Sequence, residues 1–584
     1  MNKSNPFPLF IMMTLGMLCY TNQAVQAQDV KRTIANFRLK ATDGQTRSLA
    51  DYGKHKAIVV VFIGTECPLV NQEVLKLKDM HADLTNKGVQ ILAINSNDQD
   101  SFAEIVKHAR DRKLPFPVLQ DEHQKVADLF GATLTPEAFV LDHKRAVRYH
   151  GRLDDGNGVL GERKPPTRHD LIEAVKDVLA GRKVRVAKTE VEGCFIGRDE
   201  GIGEDSLVDS VTYTKHIARI LQKNCQECHR PGEVGPFSLL TYEDAKSWSR
   251  TMARVVRNGQ MPPWHADPKH GKFVNDRTMS DKEKQLLLTW VDQGCPKGED
   301  ADMPEPRKFV KGWRIGQPDL VLKMKKAFRV PARPGKGGVP YQNFVLKTRF
   351  DKDVWIQKAE ARPGNRAVVH HMTIYIGNNP DRQAGTSGER AIFGGYVPGN
   401  RPTILPDGFG IKIPKGSELI LEMHYTANGT EQVDLSSVGL VFAKEKPKHE
   451  VKVNFVINNE FKIPPHADNH AVKKVTTLKK DIVLFSLFPH MHLRGKAYQI
   501  RAIYPDNKQT VLLKVPHYDF NWQHSYILKE PLRLPAGTKL ECIGWFDNSA
   551  DNPHNPNPNR TVGWGEQTWD EMMLAAFTYI HDEE

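Results

Sequence analysis

The stretch AIVVVFIGTECPLVNQ, residues 57–72, decides the fold of the first part of the chain. Its uninterrupted apolar run, residues 57–63, predicts a strand that is buried on both faces, as parallel strands are in α/β proteins. Cys67 follows at the place where a helix is expected to begin, and a helix N-terminus stabilises a thiolate. The stretch therefore predicts an α/β layer fold with a reactive cysteine at the edge of its sheet.

Further strands and helices extend this pattern on the C-terminal side. QILAINS (90–96) and EAFVLD (137–142) repeat the buried-strand pattern, and the amphipathic stretch SFAEIVKHARDRK lies between them. Strands that alternate with amphipathic helices are typical of α/β domains. With Pro136 placed directly before a strand, this domain resembles the thioredoxin and peroxiredoxin superfamily.

Two positions depart from that superfamily. Val70 occupies the place of the second cysteine of a thioredoxin C-x-x-C, and Thr65 lies only two residues before Cys67, where a peroxiredoxin has T-x-x-C. The chain therefore lacks the second cysteine that ordinary dithiol exchange uses, and it does not have the threonine of standard peroxidase chemistry at its usual position. Cys194, in VEGCFIG, is a candidate resolving partner for a redox disulfide with Cys67. A static disulfide and two buried thiols are the alternatives.

Length and composition limit the remaining possibilities. A chain of 584 residues is expected to form three or four domains, because single cores seldom exceed roughly 250 to 300 residues. With 39% hydrophobic and 26% charged residues it is expected to be globular and soluble. The net charge of +12 is spread along the sequence, which favours a solvated basic surface over nucleic-acid binding.

The first 27 residues have the pattern of a secretory signal peptide. Lys3 is followed by an apolar run from about Leu9 to Tyr20 and by the small-residue cleavage pattern Val25-Gln26-Ala27. No later segment reaches about 18 apolar residues, so no membrane span is expected after cleavage. We expect an exported protein, periplasmic or secreted.

Residues 225–229 read Cys-Gln-Glu-Cys-His, a C-x-x-C-H motif. Such a motif attaches one haem c covalently through Cys225 and Cys228, with His229 as an axial ligand. A chance match and half of a zinc site are the alternatives. The motif ends a predicted helix, VTYTKHIARILQKNC, as it does in cytochromes c, and a small all-α cytochrome c-like domain is expected.

The sixth haem ligand is expected in the turn MPPWH that follows a second predicted helix, roughly 241 to 258. Met261 is the first candidate because the two following prolines fix its position, and His265 is the alternative. A third helix is predicted from the capping box that begins at Ser280.

The last part of the chain changes to short β-like runs separated by Pro, Gly and Asn, which is typical of sandwich or jelly-roll domains. It also carries a scattered set of metal-ligand residues. Imidazole and thioether together suit copper. The set comprises His370, His371, His424, His490, His492 and Met572.

Strand geometry separates these residues. Alternation in LILEMHYT places His424 on the more polar face of its strand, and His490 and His492 leave one face of theirs. His370 and His371 are adjacent, so a bulge or a strand end must turn them together if they share one ion. Spacing alone leaves ordinary core or surface histidines as the alternative.

The order AVVHHMTIYIG, LEMHYTANG, FPHMHLRG and WGEQTWDEMM resembles the copper type II, ascorbate-dependent monooxygenases, the group of peptidylglycine α-hydroxylating monooxygenase and dopamine β-hydroxylase. The resemblance implies two copper ions. It assigns an electron-relay copper to His370, His371 and His424, and an oxygen-binding copper to His490, His492 and Met572. Met572 is preferred over Met573 because it directly follows Asp570-Glu571, as in the D-E-M of the family.

Substrate-binding positions of the peptide-amidating members are different here. Phe488 replaces their arginine, and Leu574 and Ala576 replace their asparagine and tyrosine. The residues that would bind the carboxylate of a peptidylglycine are missing, so a small, less polar organic substrate is expected.

The sequence as a whole predicts an exported copper monooxygenase that hydroxylates a C–H bond with O2. An external donor reduces it through the fused cytochrome, and its thiol-redox domain is accessory. The alternatives are a periplasmic electron-transfer or copper-handling protein, and an N-terminal peroxidase. The expected boundaries are 1–27 for the signal peptide, 28–185 for the thioredoxin-like domain, 186–208 for a linker, 209–298 for the haem domain, 299–312 for a second linker, and 313–446 and 447–584 for the two β domains.

Overall fold

The strand predicted at residues 57–63 lies near the middle of a seven-stranded mixed sheet with the order β2-β1-β5-β4-β3-β7-β8. β3, β4 and β5 run parallel, and β7 lies antiparallel to β3. The computed structural model describes residues 32–156, 166–198, 211–334, 338–377 and 391–582. The predicted signal peptide lies outside the described residues.

The strands of the N-terminal domain are β1 (Arg38–Ala41), β2 (Thr46–Ser48), β3 (Ala57–Ile63), β4 (Val89–Asn95), β5 (Val118–Gln120), β6 (Leu134–Thr135), β7 (Glu137–Asp142), β8 (Val147–Gly151) and β9 (Cys194–Phe195). Its helices are α1 (Pro68–Leu84), α2 (Phe102–Asp111), α3 (Lys125–Phe130) and α4 (Asp170–Leu179). These elements confirm the predicted thioredoxin-like α/β domain.

β3 is buried on both faces, as its composition predicts. Val59 and Val61 pack into the core on one side of the sheet. Ile58, Val60 and Phe62 pack into the core on the other side. All seven residues of the strand are buried, so apolar burial on two faces, worth about 1.5–3 kcal/mol for each large side chain, holds the sheet between its helices.

The haem region contains a π-helical turn, Tyr213–Ile217, and the helices α5 (Ala218–Asn224), α6 (Tyr242–Ser247), α7 (Ser249–Arg257) and α8 (Asp281–Asp292). α8 begins with the predicted capping box, in which Ser280 and Glu283 bond each other's backbone. The single second helix predicted over 241–258 is wrong, because it divides at Trp248. The backbone of Trp248 leaves helical geometry at φ −95° and ψ 4°, and its ring stacks on Phe237 at 3.9 Å.

The remaining strands form the two predicted β domains. The first contains β10 (Leu320–Lys323), β11 (Phe328–Val330), β12 (Gln342–Leu346), β13 (Val354–Arg362), β14 (Val369–Ile376), β15 (Ala391–Tyr396), β16 (Thr403–Ile404), β17 (Phe409–Ile413), β18 (Leu419–Tyr425), β19 (Gln432–Asp434), β20 (Ser437–Phe442) and β21 (His449–Glu450). The second contains β22 (Lys452–Asn458), β23 (Lys462–Ile463), β24 (His470–Thr477), β25 (Ile482–His490), β26 (Gly495–Ile503), β27 (Gln509–Val515), β28 (Tyr526–Leu534), β29 (Lys539–Phe546), β30 (Val562–Gly563) and β31 (Met573–His581).

Each β domain packs two main sheets face to face, as sandwiches do. In the first domain the sheets have the orders β10-β20-β13-β17-β21 and β12-β18-β14-β15. In the second they have the orders β22-β31-β25-β28 and β24-β29-β26-β27. Of the candidate metal ligands, His370 and His371 lie on β14 and His424 lies on β18. His490 is the last residue of β25, and His492 follows it by two residues.

The modules also contact one another outside their linkers. Arg333 of the first β domain pairs with Asp79 on α1, with Nη1 at 2.7 Å from Oδ2. Arg112, at the end of α2, donates to the hydroxyl of Thr430 at 3.2 Å. The N-terminal domain thus touches the first β domain although the haem region separates them in sequence. Among the described residues, no helix combines the length and the apolar character needed to cross a membrane.

Candidate metal centre and neighbouring redox sites

The first histidine set lies where β14 and β18 pair antiparallel. His371 is directly opposite His424, and the register shifts between Val369 and His371, which leaves His370 in a bulge. A bulge or a strand end at this position was predicted to be necessary if His370 and His371 are to bind one ion together. The ligand nitrogens of the three histidines lie within 4.8 Å of one another, and no other such group of three His, Cys, Asp or Glu occurs in the described part of the chain.

Burial keeps these three imidazoles neutral. It lowers the pKa of His370 to about 4, and it lowers the pKa values of His371 and His424 well below the usual range. His424 Nδ1 is buried and has no hydrogen-bond partner in the part of the chain that the structure describes. A neutral imidazole with a free lone pair is the form that binds a metal, so the donor set fits a copper ion.

The burial of His424 differs from the sequence prediction, which placed it on a polar face. Its strand is buried on both sides, and only Glu422 is partly accessible. Tyr341 covers the histidine, with the two rings stacked at 4.8 Å and 11°. The Tyr341 hydroxyl also lies 3.4 Å from His371 Nε2. Tyr341 was missed because nothing in VPYQNF distinguishes it from an ordinary strand residue.

The second histidine set lies at the end of β25. The rings of His490 and His492 are 5.1 Å apart, so both side chains leave the same side of the chain. Met491 between them points into the sandwich core, where a Cβ on Gly544 would lie 3.0 Å from its sulfur and 3.4 Å from Met573 Cγ. The Met573 side chain therefore also packs in this core.

Strand register places Met572 on the histidine side. The β25–β31 ladder ends with His490 opposite Leu574, and Met572 precedes Leu574 by two residues, so alternation along the chain places it on the side of Leu574. Directly opposed residues in an antiparallel pair share a face. Met572 is buried, with 7% of its surface exposed, and the second set therefore offers two imidazoles and a thioether on one side of the sheet.

Hydrogen bonds orient both imidazoles of the second set. Gln523 Oε1 lies 2.7 Å from His490 Nδ1, and the Gln523 amide nitrogen donates to Phe520 O at 3.1 Å. The amide oxygen therefore accepts from His490 Nδ1 and leaves Nε2 free for a metal. His492 Nδ1 lies 3.3 Å from Asp570 O. This carbonyl accepts from Nδ1 and likewise leaves His492 Nε2 free for a metal. Burial lowers the pKa of His490 to about 4 and that of His492 to about 3.

Glu571 fixes the backbone beside the second set. Its two carboxyl oxygens accept from the backbone nitrogen of His492 at 2.9 Å and from that of Arg494 at 2.6 Å. Burial raises the pKa of Glu571 to about 8. The position next to Met572 is therefore held by a buried carboxyl group that the sequence analysis used only as part of D-E-M.

Phe488, Leu574 and Ala576, the three residues that replace substrate-binding residues of the peptide-amidating members, are neighbours in the sheet and lie beside His490. Phe488 is opposite Ala576, and His490 is opposite Leu574, so all four share one face of the sheet. The Phe488 ring is parallel to that of His490 within 13° at 6.2 Å. An apolar wall therefore adjoins the second histidine set.

Phe520 joins the two histidine sets. Its ring stacks on His370 at 5.4 Å and 13°, and it meets His492 edge-on at 5.8 Å. It also lies 6.1 Å from His424. Phe520 therefore lies between the two sets, with 8% of its surface exposed. Only long-range packing reveals this position.

The C-x-x-C-H segment follows α5. Burial raises the pKa of Cys225 to about 12 and also raises that of Cys228, so both sulfurs are neutral thiols. His229 Nδ1 lies 3.3 Å from Phe237 O, which leaves Nε2 for an iron. A Cβ on Gly235 would lie 2.9 Å from His229 Cγ, so the chain approaches the histidine closely. These residues fit a covalently bound haem.

Met261 and His265 lie on the turn after α7, and both remain candidates for the sixth ligand. His265 Nε2 is buried and has no hydrogen-bond partner among the described residues. Burial lowers the pKa of His265, so its imidazole is neutral. Trp264 lies between these two candidates and packs on the second β domain, 5.0 Å from Tyr526.

The structure brings Cys67 and Cys194 together. Cys67 caps the N-terminus of α1, and Cys194 on β9 is the register partner of Thr135. Cys67 Sγ donates to Thr135 O at 3.0 Å. All six described cysteines are free thiols.

Hydrogen bonds decide the charge of this pair. Burial raises the pKa of Cys67, but hydrogen bonds from Cys194, the Val70 backbone and Thr135 outweigh burial and lower it to about 7. The same contact raises the pKa of Cys194 well above its usual value. Of the two thiols, Cys67 is therefore the one that ionises more readily.

Three family models match successive parts of the chain. AhpC/TSA family matches residues 30–150. Cytochrome C oxidase, cbb3-type, subunit III matches residues 214–272. Copper type II ascorbate-dependent monooxygenase, C-terminal domain, matches residues 451–582.

Individual relatives match the N-terminal domain. Peroxiredoxin Q, chloroplastic, from Triticum aestivum is 30% identical over 121 residues, which are 20% of this chain and 54% of the relative. The chain thus spans about half the length of that relative. Thiol-disulfide oxidoreductase ResA from Geobacillus thermodenitrificans (strain NG80-2) is 28% identical over 142 residues, 24% of this chain and 80% of the relative.

Solved structures match the same part. A hypothetical protein from Sinorhizobium meliloti 1021 is 32% identical and covers 30% of this chain and 96% of its own, with a TM-score of 0.28. A putative thiol:disulfide interchange protein DsbE from Chlorobium tepidum is 19% identical and covers 26% and 98%, with a TM-score of 0.22. Successive regions of the chain thus match an AhpC/TSA family model, a cbb3-type cytochrome C oxidase subunit III model and a copper type II ascorbate-dependent monooxygenase C-terminal domain model.

Proposed function

We propose that this chain is an exported copper-dependent monooxygenase that hydroxylates a C–H bond of a small, weakly polar organic substrate. The reaction consumes the substrate, one O2, two electrons and two protons, and it yields the hydroxylated product and one water. The observation that carries the proposal is the pair of buried histidine sets on either side of Phe520, of which the second lies in the region matched by the monooxygenase domain.

The two sets are suited to different tasks. His370, His371 and His424 would hold one ion with imidazole alone, as an electron relay requires. His490, His492 and Met572 would hold the other, and the softer thioether favours the reduced ion that meets O2. Copper supplies one-electron redox chemistry when it is bound. The protein keeps all five imidazoles neutral through burial and fixes those of the second set through Gln523 and the Asp570 carbonyl.

The apolar wall of Phe488, Leu574 and Ala576 supports the substrate class. These residues share a sheet face with His490 and offer no charge to a carboxylate. They would bind an apolar part of the substrate and exclude water from the reacting C–H bond.

We further propose that the haem domain delivers the electrons. Cys225 and Cys228 would hold one haem c by thioether bonds, with His229 and either Met261 or His265 as axial ligands. An external donor reduces the haem. In this proposal residues 1–27 direct export to the periplasm or beyond, where haem c attachment takes place, and the thiol pair Cys67–Cys194 has an accessory redox role.

Metal and haem analysis of the purified full-length protein tests the proposal. We expect two copper ions and one covalent haem per chain, and O2 consumption that depends on both reductant and substrate. Met572→Ile should lower that consumption by more than about 100-fold, because loss of a ligand exceeds the 10–100-fold effect of losing an outer-shell partner. Copper-loaded, haem-loaded protein that consumes no O2 with any C–H substrate contradicts the proposal.

The thiol pair supports a second candidate, an exported electron-transfer or copper-handling protein. The lowered pKa of Cys67 suits attack on a partner's disulfide or capture of Cu(I). Such a protein needs Cys67 and tolerates Met572→Ile, whereas a monooxygenase tolerates Cys67→Ser and needs Met572. Peroxide consumption that disappears in Cys67→Ser would instead indicate a peroxidase.

A further inference from the structure

One short segment of the second β domain touches the haem domain and both histidine sets. This segment, residues 517–526 (HYDFNWQHSY), connects β27 to β28 and is called the bridging segment below. Phe520 in its middle contacts the first set through His370 and the second set through His492.

The other end of the bridging segment contacts the haem domain. Trp264, which lies between the two candidate haem ligands of the MPPWH turn, packs 5.9 Å from His524 and 5.0 Å from Tyr526. Phe273 of the haem domain lies 5.4 Å from the Tyr526 ring. The contact does not depend on which candidate binds the iron, because Met261 and His265 flank the same tryptophan.

Hydrogen bonds to the backbone hold the haem domain against the start of β28. Asn275 donates to Ser525 O at 2.6 Å, and its side-chain oxygen accepts from the Ile527 nitrogen at 3.1 Å. Val274 N donates to Ile527 O at 2.9 Å. Part of the haem domain thereby continues the edge of β28, so the two domains meet in a fixed register.

The bridging segment is itself held rigidly. The Tyr518 hydroxyl donates to Met491 O at 2.8 Å and accepts from Met491 N at 3.0 Å, which ties it to the residue between His490 and His492. Gln523 Nε2 donates to Phe520 O at 3.1 Å. The Asn521 side chain lies close enough to His370 to raise the pKa of that imidazole, against the larger opposing effect of burial.

We propose that the bridging segment is the electron route from the haem to both copper sites, with Trp264 and His524 at its entrance and Phe520 at its exit. The inference rests on the proposed function, since it requires both metals. In each step one electron leaves the ferrous haem iron and reduces one cupric ion, and no bond or proton is exchanged. Phe520 and Trp264 are positioning residues that bind neither metal.

The decisive experiment is anaerobic flash photoreduction of the haem in the oxidised, copper-loaded full-length protein. A flavin photoreductant injects one electron, and the decay of the ferrous haem band reports its transfer to copper in the absence of O2 and substrate. In the wild type we expect a first-order decay whose rate does not depend on protein concentration.

Phe520→Leu and Trp264→Leu should each slow this decay by roughly tenfold or more, equivalent to about 1.4 kcal/mol in barrier. Phe520→Tyr keeps the ring and should restore the rate. Phe461→Leu is the matched control, because Phe461 has the same 8% exposure in the same domain but packs on Phe546. Its rate should stay within about twofold of the wild type.

Copper content and the copper EPR spectrum are measured on every variant, so that loss of metal is separated from loss of the route. Unchanged decay in both Phe520→Leu and Trp264→Leu, with two coppers and one haem present, overturns the bridge and leaves the monooxygenase proposal standing. Absence of either metal from the wild type overturns both. A wild-type decay that scales with protein concentration also overturns the bridge, because the electron then passes between molecules.

Discussion

Desolvation acts on both the histidine sets and the thiol pair, yet the two regions end in different charge states. At the histidines, burial dominates and lowers the pKa values, for example that of His490 to about 4, so the imidazoles are neutral. At Cys67, hydrogen-bond donors overcome burial and lower the pKa to about 7, which favours the anion. Desolvation alone therefore prepares neutral ligands for a cation, whereas desolvation together with hydrogen-bond donors prepares a nucleophile.

Removal of a ligand should have the largest effect. His492→Ala is expected to reduce copper from two ions to one per chain and to lower O2 consumption to the background, because the second set keeps only one imidazole and a thioether. Copper analysis and oxygen-electrode rates measure this change. His470→Ala on β24 of the opposite sheet is the control and should keep both ions. Two ions in His492→Ala would contradict its role as a ligand.

Removal of a group that orients a ligand should have the second-largest effect. Gln523→Leu takes away the acceptor for His490 Nδ1 and should weaken copper at the second set by about 10–100-fold. Competition with a Cu(II) chelator measures the affinity. Gln523→Glu keeps an oxygen acceptor and should remain within about tenfold of the wild type. Equal affinity in the Leu and Glu variants would mean that burial alone prepares His490.

The thiol region offers the converse test. Cys194→Ala removes the donor to Cys67, so the pKa of Cys67 should rise above 7 by about one pH unit, whereas Cys194→Ser keeps a hydroxyl donor and a midpoint near 7. The thiolate exists above its pKa, so absorbance at 240 nm should increase as the pH rises through the midpoint. Each variant is measured against its Cys67→Ser double mutant. Identical midpoints would exclude Cys194 as the cause.

The smallest effect is expected at Tyr341. Tyr341→Phe removes only the long contact of 3.4 Å to His371 and keeps the ring stacked on His424. The copper affinity of the first set should therefore fall by no more than the 0.5–1.5 kcal/mol of an ordinary hydrogen bond, about tenfold at most. Tyr341→Leu also removes the stacked ring and should cost more. An equal loss in the Phe and Leu variants would show that the hydroxyl, rather than the ring, supports the site.

The sequence predicted what local patterns determine. The apolar run of β3, the helix start after Cys67 and the capping box at Ser280 all depend on neighbours in the chain, and all three are present. The need for a bulge at His370 followed from the alternation of strand residues. Thioredoxin-like, cytochrome c-like and sandwich folds were therefore predictable in order.

Contacts between distant elements were not predictable. Phe520 lies between histidines that are about 30 and 150 residues away in the chain, and nothing in HYDFNWQHSY indicates that its ring leaves the core. Tyr341 and Gln523 depend on the same long-range packing. The division of the second haem-domain helix at Trp248 was missed because the stacking of Trp248 on Phe237 competes with helix continuation.

The contacts of Arg333 with Asp79 and of Arg112 with Thr430 make the chain return to its first domain after passing through the haem region. Each contact is weak by itself, since an exposed ion pair contributes about 0–1 kcal/mol. Both are intramolecular, however, so a high effective concentration favours them. A single proteolytic cut in residues 299–312 would remove this advantage, so the two fragments should then be held together only by larger contacts, such as those of Trp264 with Tyr526.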